Sequence, residues 1–108
     1  MYSSILRIKD LSVGSVFFAS VKMCLLKQAE LGTEGIVFPY ADLEEKDAKQ
    51  EIKLFGIKTS MTYDEDYTIC MNALNGDIFA VYEDVLIEKV IGSVPCAIDI
   101  KEVKGNGL

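Results

Sequence analysis

Histidine and tryptophan are absent from this 108-residue sequence, and arginine occurs once, as Arg7. Histidine is the commonest general base at neutral pH and the commonest metal ligand in proteins. Its absence excludes Ser-His-Asp and Cys-His catalysis within one chain, and zinc sites that use imidazole. The sequence therefore predicts a non-enzymatic protein with no metal and no other cofactor.

Basic residues are also scarce, since 11 lysines and arginines stand against 17 acidic residues and the net charge is −6. Binding to nucleic-acid phosphates depends on lysine and arginine, so direct binding of DNA or RNA is disfavoured. An acidic surface can meet a basic surface on another protein, or it can keep the domain in solution. Half of the residues are hydrophobic, which is enough for one domain with its own core. We expect this domain to span residues 1–103, followed by a flexible tail at 104–108.

Cysteine occurs three times, as Cys24, Cys70 and Cys96, without a CxxC motif. Cys24 and Cys70 lie in apolar runs, so we expect buried, reduced thiols in a reducing compartment. Cys96 lies near a predicted loop and is the only candidate for a reactive thiol or a disulfide. The apolar run at 11–21 is too short and too interrupted to span a bilayer. These features favour a cytoplasmic protein without a cleaved leader.

Asn75-Gly76, between two apolar runs rich in β-formers, is the strongest structural pattern in the sequence. Both residues tolerate the positive φ that a two-residue type I′ turn requires, so residues 67–90 predict a β-hairpin. This turn sets the register, with Ala73 facing Ile78, Met71 facing Ala80, Ile69 facing Tyr82, Cys70 facing Val81 and Asn72 facing Phe79. Both faces are mostly apolar, which predicts a covered or closed sheet.

The remaining pattern predicts further strands and one surface helix. Strands are predicted at 16–21, 35–38, 58–63 and 96–103. Residues 85–91 predict a last strand or a short helical turn and strand, and residues 21–31 fit a strand slightly better than a helix. The helix is predicted over 41–55, with Asp42 as N-cap and Gly56 as the stop. The expected fold class is α+β, with a small antiparallel sheet and one helix on its surface.

Two pieces of the sequence carry a resemblance to a known class of domain. The first is the opening at 10–18, in which a glycine precedes an aromatic strand. The second combines 67–69, 75–79 and 82–86, a late hairpin that runs into a short turn. Together they resemble small SH3-like β-barrel modules of bacterial and phage proteins. The resemblance implies a barrel-like sheet and a binding module, with the helix as an insertion and the segment after Pro95 as an extension.

Clustered carboxylates are the candidate partner-binding residues. They are Asp42, Glu44, Glu45, Asp64, Glu65, Asp66, Glu83 and Asp84. Neighbouring positions on a helix or strand diverge, whereas general acid-base catalysis needs two carboxyls that converge in a pocket. The run at 64–66 lacks the spacing of a calcium-binding EF-hand loop, and no glycine pattern matches a phosphate loop. A solvated charged surface is the plain alternative to partner binding.

Nine of the ten aromatic residues divide into two groups. Phe17, Phe18, Phe79 and Tyr82 lie in predicted strands and are expected in the core. The others line either a recognition surface or the core, with burial favoured. They are Tyr2, Phe38, Tyr40, Tyr63 and Tyr67.

Two functions of different classes follow from these observations. The first is a non-enzymatic intracellular accessory module that binds another protein. The second is an acidic inhibitor, of the phage anti-defence type, whose carboxylates imitate a phosphate ladder and block a DNA- or RNA-binding protein. An enzyme that uses carboxylates, a tyrosine or Cys96 is a third, disfavoured class. A homodimer through the predicted edge strand at 96–103 also remains open, as does a small-molecule pocket.

Overall fold

A computed structural model describes residues 5–33, 35–38 and 43–95. Its eight strands are β1 (Ser15–Lys22), β2 (Leu26–Gln28), β3 (Glu30–Gly32), β4 (Gly35–Val37), β5 (Glu51–Tyr63), β6 (Tyr67–Asn72), β7 (Ile78–Tyr82) and β8 (Lys89–Ser93). One helix, α1 (Glu45–Ala48), and two 3-10 turns, Ile8–Asp10 and Met23–Leu25, complete the secondary structure. Six strands form an antiparallel sheet in the order β2-β7-β6-β5-β1-β8, and β3 pairs with β4 in a separate hairpin.

The predicted fold class is confirmed at this level, because the described residues are mostly antiparallel sheet with one helix. The predicted closed barrel is not confirmed. Within the described residues, β2 and β8 are the two edges of the sheet and do not pair with each other, so the barrel is not closed.

The main core lies on one face of this sheet. Residues that pair across antiparallel strands point to the same face, and this face carries Phe17 on β1, Leu54 on β5 and Val81 on β7. Ile8 in the first 3-10 turn and Val85 after β7 cover it, and both are buried. A hydrogen bond from the Ile8 N–H to the Val85 oxygen, 3.0 Å long, joins the two covering segments.

A second apolar cluster covers part of the opposite face. Ile69 on β6 and Ile78 on β7 are buried there beneath Ile36 and Phe38, which lie in and just after β4. The sequence predicted apolar side chains on both faces and hence a covered sheet. The β3–β4 hairpin covers the second face, so the sheet is covered without closing into a barrel.

The predicted helix over 41–55 is wrong for most of its length. The helix covers only Glu45–Ala48, and from Glu51 the chain belongs to β5. The pairing of β5 with β1 places Ile52 beside Val21, and this ladder outweighs the helical spacing of the local sequence. Strands predicted at 16–21 and 58–63 are confirmed as parts of β1 and β5. The last described strand is β8, a few residues later than predicted.

The predicted type I′ turn is also wrong, although the β6–β7 hairpin is present. Only Gly76 has a positive φ, of +79°, and Asn75 does not, whereas a type I′ turn needs both. The Asn72 side chain accounts for the difference, because its Oδ1 accepts hydrogen bonds from the N–H groups of Leu74, at 2.8 Å, and Asn75, at 3.3 Å. The resulting loop is longer than two residues.

The longer loop moves the register of the hairpin by two residues. Met71 pairs with Ile78 instead of Ala80, and Ile69 pairs with Ala80 instead of Tyr82. Because side chains alternate with a period of two, this shift leaves each of them on its predicted face. The set of side chains on each face was therefore predicted correctly, although the predicted turn type was wrong.

Burial corrects two further expectations. Cys24 is exposed in the second 3-10 turn and not buried, whereas Cys70 is buried as expected. Phe17 and Phe79 are core residues, but Phe18 is 38% exposed and Tyr82 is half-buried. Several predictions lie outside the described residues. They concern Tyr2, Tyr40, Asp42, Cys96, the strand at 96–103 and the tail at 104–108.

Candidate functional site

Two acidic segments meet at one end of the six-stranded sheet. The first, 64–66, is the turn between β5 and β6, and the second, 83–84, follows β7. Tyr67 pairs with Tyr82 at this end, and the Glu83 N–H donates a 2.8 Å hydrogen bond to the Asp66 carbonyl oxygen. We call the five residues at 64–66 and 83–84 the acidic end.

One carboxylate of the acidic end is partly neutralised. The Asp84 carboxylate forms a 3.0 Å ion pair with the Lys9 side chain. The backbone N–H of Lys9 donates a 3.1 Å hydrogen bond to the backbone carbonyl oxygen of Glu83. The hydrogen bond from Lys9 lowers the pKa of Asp84, and the same contact raises the pKa of Lys9. In the described part of the chain, no lysine or arginine forms an ion pair with residues 64–66.

The acidic end produces a negative local potential. The pKa of Tyr82 is raised, first by the negative charge of Asp84, then by burial, and then by the charges of Asp66 and Glu83. A carboxylate opposes the loss of a nearby proton because it disfavours a second negative charge. This end of the sheet therefore favours positively charged groups.

The other predicted carboxylates lie elsewhere. Glu44 and Glu45 lie at the start of α1, just before β5 begins. The turn at 64–66 follows the last residue of β5. The 13-residue strand separates the two groups. Lys46 and Lys49 pair with Glu44 at 3.5 Å and with Glu45 at 3.4 Å, respectively. The structure thus brings together five of the eight candidates and separates these two, while Asp42 lies outside the described residues.

A row of aromatic rings runs along the sheet beside the acidic end. It consists of Phe38, Tyr63, Tyr67 and Tyr82, and we call it the aromatic row. The ring centroids are 4.2 Å apart for Phe38 and Tyr63, 6.2 Å for Tyr63 and Tyr67, and 5.9 Å for Tyr67 and Tyr82. The Nζ atom of Lys27 lies 5.5 Å from the centroid of Tyr67, within the range of a cation–π interaction.

A groove opens beside Tyr63. It lies between β4 and the strands β5 and β6, and its volume is about 370 Å³. Seven residues line it: Ile36, Val37, Phe38, Met61, Thr62, Tyr63 and Ile69. Five of the seven have apolar side chains, so the groove is mainly apolar.

Two potential nucleophiles, a buried thiol and a serine next to a lysine, lie among the described residues. Among the described residues, no three cysteine or carboxylate side chains converge so that they could hold a metal ion. Burial raises the pKa of the Cys70 thiol to about 12, so the thiolate needed for attack is disfavoured. The Lys53 Nζ donates a 2.7 Å hydrogen bond to Ser20 and pairs with Glu88 at 3.3 Å. In this exposed cluster the Ser20 hydroxyl donates a hydrogen bond to the Glu88 carboxylate.

The aromatic row was not predicted as a unit. The sequence predicts Tyr82 in the core, and for Phe38, Tyr63 and Tyr67 it favours burial over a recognition surface. A signal was nevertheless present, because tyrosines flank the acidic run on both sides and Tyr82 directly precedes Glu83. Aromatic residues next to acidic turns on paired strands are brought together when the turns lie at the same end of the sheet.

Comparisons with known protein families, with curated proteins and with solved structures found no significant match to this chain. In the part of the chain that the structure describes, no helix has the length and apolar character needed to cross a lipid bilayer. Function is therefore argued from the acidic end, the aromatic row and the groove.

Proposed function

We propose that this chain is a non-enzymatic, cytoplasmic protein-interaction module that binds a basic surface of another protein through its acidic end. The observation that carries the proposal is the meeting of two acidic segments, at 64–66 and 83–84, which the hydrogen bond between Glu83 and Asp66 holds together. Opposite charges at an interface accelerate association and select the partner. The resemblance to SH3-like modules, which are binding modules, supports the same class of function.

The aromatic row adds contact area next to the charges. Tyrosine is enriched at interface hot spots, because it combines a large apolar ring with a polar hydroxyl. Tyr63, Tyr67 and Tyr82 are all half-buried, so each ring keeps some surface for a partner. Lysine and arginine side chains of the partner have two kinds of favourable contact here, with carboxylates and with aromatic rings.

Affinity capture with a matched pair of variants tests this proposal. The variant Glu65→Gln/Asp66→Asn removes two charges from the acidic end, and Glu44→Gln/Glu45→Gln removes two charges at the opposite end of β5. Capture is carried out on lysate from the cells that produce the chain, at increasing salt, with quantitative mass spectrometry. We expect wild type and the variant at 44 and 45 to retain the same basic protein, and the variant at 65 and 66 to lose it.

Salt dependence provides a second criterion, since exposed charges are screened over about 10 Å at 0.1 M salt. A partner that is retained equally by both variants, or whose capture is insensitive to salt, would contradict binding through the acidic end. Thermal melts of both variants establish that each is folded before the capture results are compared.

The inhibitor hypothesis has less support. A phosphate mimic needs carboxylates along one extended face, whereas Glu44 and Glu45 lie at the opposite end of β5 from residues 64–66. Competition separates the two functions: an inhibitor displaces DNA or RNA from the captured partner, and an accessory module leaves the nucleic acid bound. Gel-shift titration of the partner with this chain measures the difference.

A further inference from the structure

The groove beside Tyr63 and the acidic end form one continuous surface. Tyr63 lines the groove and directly precedes Asp64, the first residue of the acidic turn. Phe38 also lines the groove, and its ring packs against that of Tyr63 with centroids 4.2 Å apart and the planes tilted by 36°. A ligand that contacts the carboxylates at 64–66 is therefore next to an apolar opening.

The charge around the groove selects its occupant. An anionic ligand is repelled by the carboxylates at 64–66, and a second copy of this chain would carry the same acidic turn and the same net charge of −6 to the contact. The chain already places one ammonium group on the aromatic row, since the Lys27 Nζ lies 5.5 Å from the Tyr67 ring. The complementary occupant is a segment with positive charges.

The size and lining of the groove define the rest of the occupant. Its volume of about 370 Å³ lies near the lower end of the range for ligand pockets, which suits one side chain better than a large cofactor. Met61, Ile69 and Ile36 offer hydrocarbon surface, which favours an aliphatic side chain through the hydrophobic effect.

We propose that this groove holds one aliphatic side chain of a basic peptide segment, while Asp64, Glu65 and Asp66 contact lysine or arginine residues on either side of it. The inference rests on the proposed function and adds the class of segment that the partner presents. Carboxylates determine the on-rate and salt dependence, and the groove determines which basic segment is preferred.

Two fluorescein-labelled peptides test the groove. One has a single leucine between two pairs of lysines, and the other has serine in place of the leucine. Their charges are identical, so a difference in affinity measures the groove alone. Burial of a leucine side chain corresponds to a preference of about tenfold or more for the leucine peptide, measured by fluorescence anisotropy with the full chain.

A matched pair of variants places the preference at the groove. Val37 lines the groove and is 51% exposed, whereas Leu74 lies in the β6–β7 loop and is 79% exposed. Val37→Lys and Leu74→Lys therefore add the same charge at different places with little loss of burial. We expect Val37→Lys to abolish the preference for leucine and Leu74→Lys to preserve it.

The outcomes separate this inference from the proposed function. If both peptides bind equally, and Glu65→Gln/Asp66→Asn weakens both, the groove inference is overturned and the acidic end still binds basic segments. Failure of both peptides to bind also overturns the inference, and the capture experiment then judges the proposed function by itself. A leucine preference that survives in Val37→Lys places the apolar contact elsewhere.

Discussion

Thr59 is a buried polar residue at the point where β5 and β6 go out of register. Lys58 pairs with Cys70 and Thr62 pairs with Thr68, so β5 contains two extra residues between these pairs. The Thr59 hydroxyl donates a 2.6 Å hydrogen bond to the backbone carbonyl oxygen of Ile69. It also accepts a 3.2 Å hydrogen bond from the backbone N–H of Met61. The side chain thus supplies hydrogen bonds that the strand ladder lacks at this bulge.

Substitution of Thr59 by valine should destabilise the fold, because valine keeps the shape and removes both hydrogen bonds. Leaving buried backbone groups without partners costs about 1–3 kcal/mol. Urea unfolding at neutral pH measures the free energy of unfolding of Thr59→Val and of wild type. The matched control is Thr59→Ser, which retains the hydroxyl and should lose less stability than Thr59→Val. Equal stability of Thr59→Val and wild type would show that the hydroxyl is not needed at the bulge.

At the scale of the element, the three-residue turn between β5 and β6 holds two non-glycine residues in the left-handed region. Asp64 has a φ of +52° and Glu65 a φ of +60°, the left-handed values that both central residues of a type I′ turn require. Aspartate tolerates this region, but glutamate lacks the short side chain that makes it favourable. The acidic residues here thus occupy a turn that glycine or asparagine would form more readily.

Replacement of Glu65 by glycine should therefore stabilise the hairpin. The left-handed conformation costs a non-glycine residue about 1–2 kcal/mol, and the greater freedom of glycine in the unfolded chain offsets part of the gain. We expect the midpoint of thermal unfolding to rise for Glu65→Gly. Glu51→Gly is the control, since Glu51 is exposed in β5 and glycine in a strand is destabilising. A fall of similar size in both variants would refute the strain at Glu65.

Selection for an acidic turn would explain why this strained sequence is kept. Glu65→Gly should bind the leucine peptide more weakly although it is more stable, because it loses a carboxylate next to the groove. Stability and binding therefore change in opposite directions at this position.

At the scale of the whole molecule, the buried Cys70 thiol links global unfolding to pH. Burial raises its pKa from 9.0 to about 12, and the nearby Lys58 charge offsets part of this rise. A group whose folded-state pKa is raised stabilises the fold below its unfolded pKa and loses this effect as the pH rises towards the folded value. Here the loss occurs between about pH 9 and pH 12.

We expect the free energy of unfolding of wild type to fall on going from pH 8 to pH 10.5 by more than that of Cys70→Ala. The slope for one thiol is on the order of 1 kcal/mol per pH unit within this range. Cys70→Ala is less stable at neutral pH because it leaves a cavity, so the slopes and not the absolute values are compared. Urea unfolding under reducing conditions measures both slopes. Tyrosine and lysine titrations are common to the two proteins, except that of Lys58, whose pKa depends on Cys70. Parallel slopes would contradict burial of the neutral thiol.

Much of the architecture was predictable because residue preferences and hydrophobic patterning are local properties. Valine and phenylalanine at 16–21 indicated a strand, and apolar residues on both sides of the β6–β7 hairpin indicated a covered sheet. The helix over 41–55 failed because Ile52 belongs both to a helical stripe with Ala48 and Phe55 and to a strand alternation with Leu54, and only the neighbouring strand β1 decides between them. The turn at Asn75-Gly76 failed because the Asn72 side chain competes for the same backbone groups.

The sequence by itself determined an acidic, histidine-free chain of mainly antiparallel strands, because composition and side-chain alternation need no information about distant neighbours. Only the tertiary structure decided that residues 64–66 and 83–84 meet, that Glu44 and Glu45 lie at the far end of β5, and that four aromatic rings form one row. These relations depend on strand order and register across the sheet. Both are set by contacts between residues far apart in the chain, so local patterns do not contain them.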